Sequence, residues 1–140
     1  MKKTLGILGF ALALSIALPV FAQTSTSTAS VAISCVGSAV NTREVSIDTA
    51  ISAHSQAIIS AYTVRATALQ QAYTASTTAQ VKSAIKTAWS TFNKSIKTAN
   101  TAWRTARNSA WSTFKTASKI CKAPANVSDS ANSSSEVIGQ

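Results

Sequence analysis

Acidic side chains are scarce in this chain. Only 4 Asp and Glu stand among 140 residues, against 13 Lys and Arg and a single His. Paired acid–base chemistry needs converging carboxylates or imidazoles. Here Glu44, Asp48, Asp129 and Glu136 are scattered, and His54 is alone. No catalytic residues, no cofactor and no small-molecule substrate are therefore expected. A lone His54 has no neighbouring ligands from which to build a metal site, so no metal is expected either. The two cysteines are too few for a disulfide-dense mini-protein. Four glycines and two prolines leave little material for turns or phosphate loops, so the architecture must be simple. Charged residues make up only 12% of the chain while 46% is apolar, which argues against a highly charged disordered polymer.

Only one long apolar run is present, and it lies at the N-terminus. Lys2 and Lys3 precede an almost wholly apolar stretch from Leu5 to Val20, and Val20-Phe21-Ala22 places small residues at minus three and minus one of a cleavage site. The pattern is that of a secretory signal over residues 1–22, with cleavage after Ala22. A retained membrane anchor is the alternative, but the run is short for a span of about 20 residues. The expected location is secreted, periplasmic or cell-surface. Loss of Lys2 and Lys3 would leave eleven basic against four acidic residues.

What the chain does have is repetition. From Val36 it divides into blocks of eleven residues. The first position reads Val36, Ile47, Ile58, Leu69, and the fourth is Ala39, Ala50, Ala61, Ala72. The fifth is Val40, Ile51, Tyr62, Tyr73, and the eighth Arg43, His54, Arg65, Ser76. Gln80 breaks the frame. The pattern then resumes with Val81, Phe92, Trp103, Phe114 at the first position and Ala88, Ala99, Ala110, Cys121 at the eighth. Eleven residues in three turns is about 3.67 per turn, close to a straight α-helix, so one apolar stripe stays aligned over a long element. Positions one, four, five and eight share that stripe.

The expected fold is all-α: a long antiparallel two-helix hairpin within residues 34–122. Helix one spans about 35–75, the turn about 76–79 and helix two about 80–122 on this repeat. Thr77 and Gln80 fit a capping box for the second helix. Without Gly or Pro at the break, a single bent helix is the alternative. Pro124 ends helix two, with Lys115, Lys119 and Lys122 beside its negative dipole end.

The cysteines choose between these topologies. Cys35 precedes the first block and Cys121 closes the last. A hairpin folded at Thr77 and Thr78 sets them side by side, whereas one extended helix holds them about 130 Å apart. Export to an oxidising compartment favours a disulfide at the open end of the hairpin.

Charge is unevenly spread. Helix one carries Arg43, Arg65, Glu44 and Asp48, which cancel, while Lys82, Lys86, Lys94, Lys97, Arg104, Arg107, Lys115, Lys119 and Lys122 on helix two meet no acid. Lys82, Arg104 and Lys115 share the second position of the repeat, and Lys86, Lys97 and Lys119 the sixth, forming one stripe. Trp89 and Trp111 at the ninth position lie between this stripe and the seam. These eight residues are the candidate anion-binding set. Lysines favour counterion release and indoles favour stacking or interfacial anchoring. The expected partners are an anionic polymer, nucleic acid bound without sequence preference, or anionic lipid, with self-association also open. A solvated lysine face is the plainer alternative. Arg43, His54 and Arg65 are expected to lie across small residues of helix two and reach outward, with a line of ligands for anions as the sharper alternative. Glu44 and Asp48 are expected to face Lys115 and Arg107.

Residues 23–33 and 123–140 are rich in Ser, Thr and Ala without periodicity, and are expected to be a flexible linker and a disordered tail. Over 36–122 the eleven-residue amphipathic repeat resembles, in period alone, that of synucleins, apolipoproteins and late-embryogenesis proteins. The resemblance implies affinity for lipid surfaces. The chain lacks their motifs and departs from them in its cysteine pair.

Overall fold

The computed structural model describes residues 22–127, 129 and 131–136. The expected export segment falls, apart from Ala22, outside these residues. Two helices make up most of the rest: α1 (Ala22–Ala72) and α2 (Thr78–Ile120), packed side by side along their length. Cys35 and Cys121 are joined by a disulfide across the open end, with their Cα atoms 5.6 Å apart. The fold is the expected stapled helical hairpin.

The buried positions follow the eleven-residue frame. On α1 the seam is made by Val36, Ala39, Arg43, Ile47, Ala50, Ala61 and Ala72. On α2 it is made by Ala88, Ala99, Trp103, Ala110, Trp111 and Phe114. Steps of three and four residues within this frame return the seam to the same side every eleven residues, so neither helix needs strong supercoiling to stay in contact. The first position supplies bulk, while alanines at the fourth and eighth let the backbones approach. The bulk is concentrated near the staple, where Ile47, Trp103, Trp111 and Phe114 cluster with Ala39, Ala50 and Ala110. Toward the turn the buried residues are alanines only.

The turn lies at 73–77, earlier than the expected 76–79. Ala72 is the last inward-facing residue of α1. Beyond it the helix closes with short-range bonds from the Tyr73, Thr74 and Ala75 amides to the carbonyls of Gln70, Gln71 and Ala72. No apolar anchor lies further on to draw another turn against α2. The expected cap is present: Thr77 is extended, and its hydroxyl accepts from the Gln80 amide at 3.3 Å. At the far end, α2 stops at Ile120 and Lys122 adopts a left-handed backbone with φ 51°, the conformation that commonly closes a helix.

Two expectations need correction. The segment 23–33 is the first part of α1 and not a flexible linker. Propagation adds one backbone bond per residue once a buried face has nucleated the helix, and no Gly or Pro stands between Ala22 and Val36 to stop it. The tail beyond 122 is not wholly loose: its described residues form short turns at Ala125–Val127 and Ser133–Ser135, the second packed on α2. The Asp129 carboxylate and the Glu136 main-chain carbonyl hold it there, as the contacts below show.

Candidate functional site

Across the seam the repeat produces a ladder of cations set against aromatic rings. The eighth position of α1 holds Arg43, His54 and Arg65. In antiparallel register each meets the ninth and first positions of α2. Arg43 Cζ lies 4.1 Å from the Trp111 ring centroid and 4.5 Å from that of Phe114. Arg65 Cζ lies 4.6 Å from Trp89, 4.4 Å from Phe92 and 4.7 Å from Tyr62. In both rungs the two α2 rings stand edge to face with centroids 5.8 Å apart. The middle rung is altered, since Asn100 replaces a tryptophan. There His54 Nε2 lies 2.8 Å from Asn100 Oδ1, and its ring is 6.3 Å from Trp103. The arginines were expected to lie across alanines. Instead they rest on rings, because an aromatic quadrupole attracts a desolvated cation and a methyl group does not.

At the first rung the chain's own tail supplies an anion. Arg43 Nη1 donates to Asp129 Oδ2 at 2.7 Å, and Arg43 Nε donates to Glu44 Oε1 at 2.8 Å. Arg43 is thereby 7% exposed. Burial, the largest single influence, works against its charge, but the hydrogen bonds it donates to the Asp129 and Glu44 carboxylates, with their negative charge, together outweigh that burial and raise the pKa. The Asp129 carboxyl is held below its ordinary range first by the Ala131 amide and then by Arg43. Further along the tail, Arg107 Nη1 donates to the Glu136 carbonyl at 3.3 Å. Glu44, expected to face Lys115 and Arg107, instead pairs with Arg43, and Asp48, of which the same was expected, forms no ion pair among the described residues. A neighbouring cation already desolvated on two rings is the stronger partner for Glu44.

The candidate anion-binding residues divide. Lys82, Lys86, Lys97, Arg104, Lys115 and Lys119 are all exposed along α2, and none forms an ion pair among the described residues. Trp89 beside them is 44% exposed. Trp111 is 3% exposed, so its place between stripe and seam is corrected: it belongs to the core. Its indole N–H is buried without a partner, and its ring face is taken by Arg43. The difference between the two tryptophans follows the taper of the core, which is bulky at the staple and thin near Trp89.

The other side of the hairpin has a different character. Grooves recur there at eleven-residue spacing. One is lined by residues including Thr42, Ser46, Thr49, Ser109 and Thr113, and the next by residues including Ser60, Val64, Thr98 and Ala102. Hydroxyls of Ser38, Thr42, Ser46 and Thr49 turn back onto carbonyls four residues earlier, which satisfies them within the helix. One side of the molecule is thus cationic and aromatic, the other small and nearly uncharged.

Among the described residues, no helix is long and apolar enough to cross a membrane, and no group of His, Cys, Asp and Glu is placed to hold a metal ion. Sequence reasoning missed the Arg43 and Arg65 rungs and the role of Asp129. The recurrence of cations at one repeat position was the available signal for the first. Comparison with protein-family models, curated proteins and solved structures finds no match.

Proposed function

We propose that this chain is an exported, non-enzymatic helical protein, a structural or binding component of the cell envelope or extracellular space. It contacts anionic partners through the Lys82, Lys86, Lys97, Arg104, Lys115 and Lys119 stripe, with Trp89 beside it. The observation that carries this reading is the contrast in pairing. Two of the acids are gathered on Arg43, while these six cations stay exposed and without ion pairs among the described residues. Export is supported by the charged and apolar N-terminal pattern and by the Cys35–Cys121 bond, which suits an oxidising compartment. Polyanion binding by such a stripe rests on counterion release and carries no base specificity.

The test is retention on heparin and double-stranded DNA over a salt series. If all six cations engage B-DNA, the logarithmic salt slope should be about −5. Changing the six residues to Gln should abolish retention; unchanged retention in that variant would sink the proposal.

A second reading, binding to anionic lipid, is favoured by one local feature. Near the turn, Tyr62, Tyr73 and Trp89 are 50%, 72% and 44% exposed, close in the fold to Lys82 and Lys86. Exposed aromatics beside lysines are the composition of an interfacial anchor. Binding of the unaltered chain to anionic vesicles, with none to heparin or DNA, would favour this reading over the first.

A further inference from the structure

We infer that Arg65, together with Tyr62, Trp89 and Phe92, forms a binding site for a carboxylate borne on an acidic polypeptide segment. The molecule contains the precedent. Arg43 and Arg65 occupy the same repeat position, 22 residues apart. Each guanidinium rests against a tryptophan and a phenylalanine of α2 that stand edge to face. At Arg43 that arrangement holds the carboxylate of Asp129, carried on the chain's own Ser- and Asn-containing tail.

At Arg65 the same arrangement lacks its anion. The residue equivalent to Glu44 is Ala66, so the adjacent acid is missing. The described part of the tail ends at Glu136 beside Arg107, on the staple side of the His54 rung. Among the described residues no carboxylate or other hydrogen-bond acceptor meets the Arg65 guanidinium. A ring quadrupole holds the positive charge but offers no lone pair, so the five N–H donors still lack an acceptor. Contact with three rings removes water from part of the group, which strengthens a charge-assisted bond formed there. The site is open to solvent: Arg65 is partly exposed, and Tyr62 and Trp89 are about half exposed. Those two rings offer apolar contact to the residues flanking the acid.

The occupied rung also indicates the ligand class. One guanidinium matches the single charge of a carboxylate and can bind it through two N–H groups. Because Arg65 stands on α1, the inference is separate from the lysine stripe of α2, although Trp89 borders both.

The full mature chain, residues 23–140, is suited to the test. Its Arg Nε–Hε resonances are followed by NMR while three probes are added: a peptide copying residues 123–136, the same peptide with Asp129→Asn and Glu136→Gln, and inorganic phosphate. The Arg65 resonance should move saturably with the acidic peptide and at least fivefold less with its neutral counterpart. R65Q should weaken binding of the labelled acidic peptide tenfold or more, and R65K should recover only part of it, since lysine lacks the planar fork. Should R65Q fail to fold, the resonance titration of the unaltered chain decides alone. An Arg65 signal that ignores the acidic peptide, or responds equally to the neutral one, overturns the inference. Saturation by phosphate at lower concentration than by the acidic peptide overturns the assignment to a carboxylate.

Discussion

Arg43 keeps its charge at 7% exposure because two carboxylates and two rings replace the water it loses. That dependence has a pH signature through Asp129, whose carboxyl pKa is lowered by the Ala131 amide and by Arg43. A lowered folded-state value means that the contact contributes fully above the unfolded carboxylate value of about 4. The contribution is lost as pH falls through the still lower folded value. The tail should therefore stay on Arg43 at neutral pH and let go only below about pH 4, read from the Arg43 Nε–Hε resonance and from amide exchange at Ser133–Ser135. Asp129→Asn should release it at neutral pH; release of the unaltered tail above about pH 5 would contradict the contact. Much of this site was only half legible in the sequence. The recurrence of Arg43, His54 and Arg65 at one repeat position was plain. Their ring partners were not, because facing residues depend on register across the seam, and that register follows from the turn and the staple together. Trp89 and Trp111 share a position and look alike in sequence, yet the local thickness of the core buries one and exposes the other. Nor could spacing along the chain show that Asp129 returns over 86 residues to Arg43.

At the scale of elements, the repeat carried most of what could be read, since eleven residues in three turns dictates a long straight amphipathic helix. The Thr77 cap was equally readable, because its bonds are local. The reciprocal bond differs from a capping box: Gln80 Oε1 accepts from the Thr77 hydroxyl at 3.0 Å and not from its backbone N–H. The start of α1 was not readable. Residues 23–33 are poor in strong helix formers, and their helicity is propagated from the packed segment beyond. The same distinction separates the two ends of the break. Thr77 sets where α2 begins, whereas α1 ends where its last buried residue, Ala72, runs out of partners. Thr77→Ala should cost about 1 kcal/mol, the usual effect of losing such a cap. Chemical denaturation of the oxidised chain measures it. Thr74→Ala, outside the cap, is the matched control, since the Thr74 hydroxyl only bonds back to the Gln71 carbonyl. Equal losses in the two variants would mean that the turn is not held by the cap.

The whole molecule is a rod with unlike ends and unlike sides. Its positive surplus resolves mostly into one cationic and aromatic side, with a side of Ser, Thr and Ala behind it on which Lys94 is the bordering cation. Its bulk resolves into a core gathered near the staple and a seam of alanines near the turn. Two helices in contact bury only a narrow strip, and among the described residues no large side chain is completely enclosed. Hydrophobic burial on that scale only marginally offsets the entropy of ordering the chain. The disulfide acts on the other side of that balance. Closing a loop across 86 residues of sequence removes freedom from the unfolded chain worth about 4–5 kcal/mol on chain-entropy grounds. It also joins the end where Ile47, Trp103, Trp111 and Phe114 pack, so without it fraying would begin in the largest part of the core. Reduction, or replacement of Cys35 and Cys121 by Ser, should therefore lower the thermal midpoint by roughly 20 °C or more, following the usual relation for a domain of this size. Far-ultraviolet circular dichroism with and without reductant measures the loss. Fluorescence of the tryptophans should change in the same transition, because Trp103 and Trp111 belong to the core on the staple half of the rod. A reduced chain that melts at the oxidised temperature would place its stability in the seam alone, and the staple would then serve only to hold the register on which the Arg43 and Arg65 rungs depend.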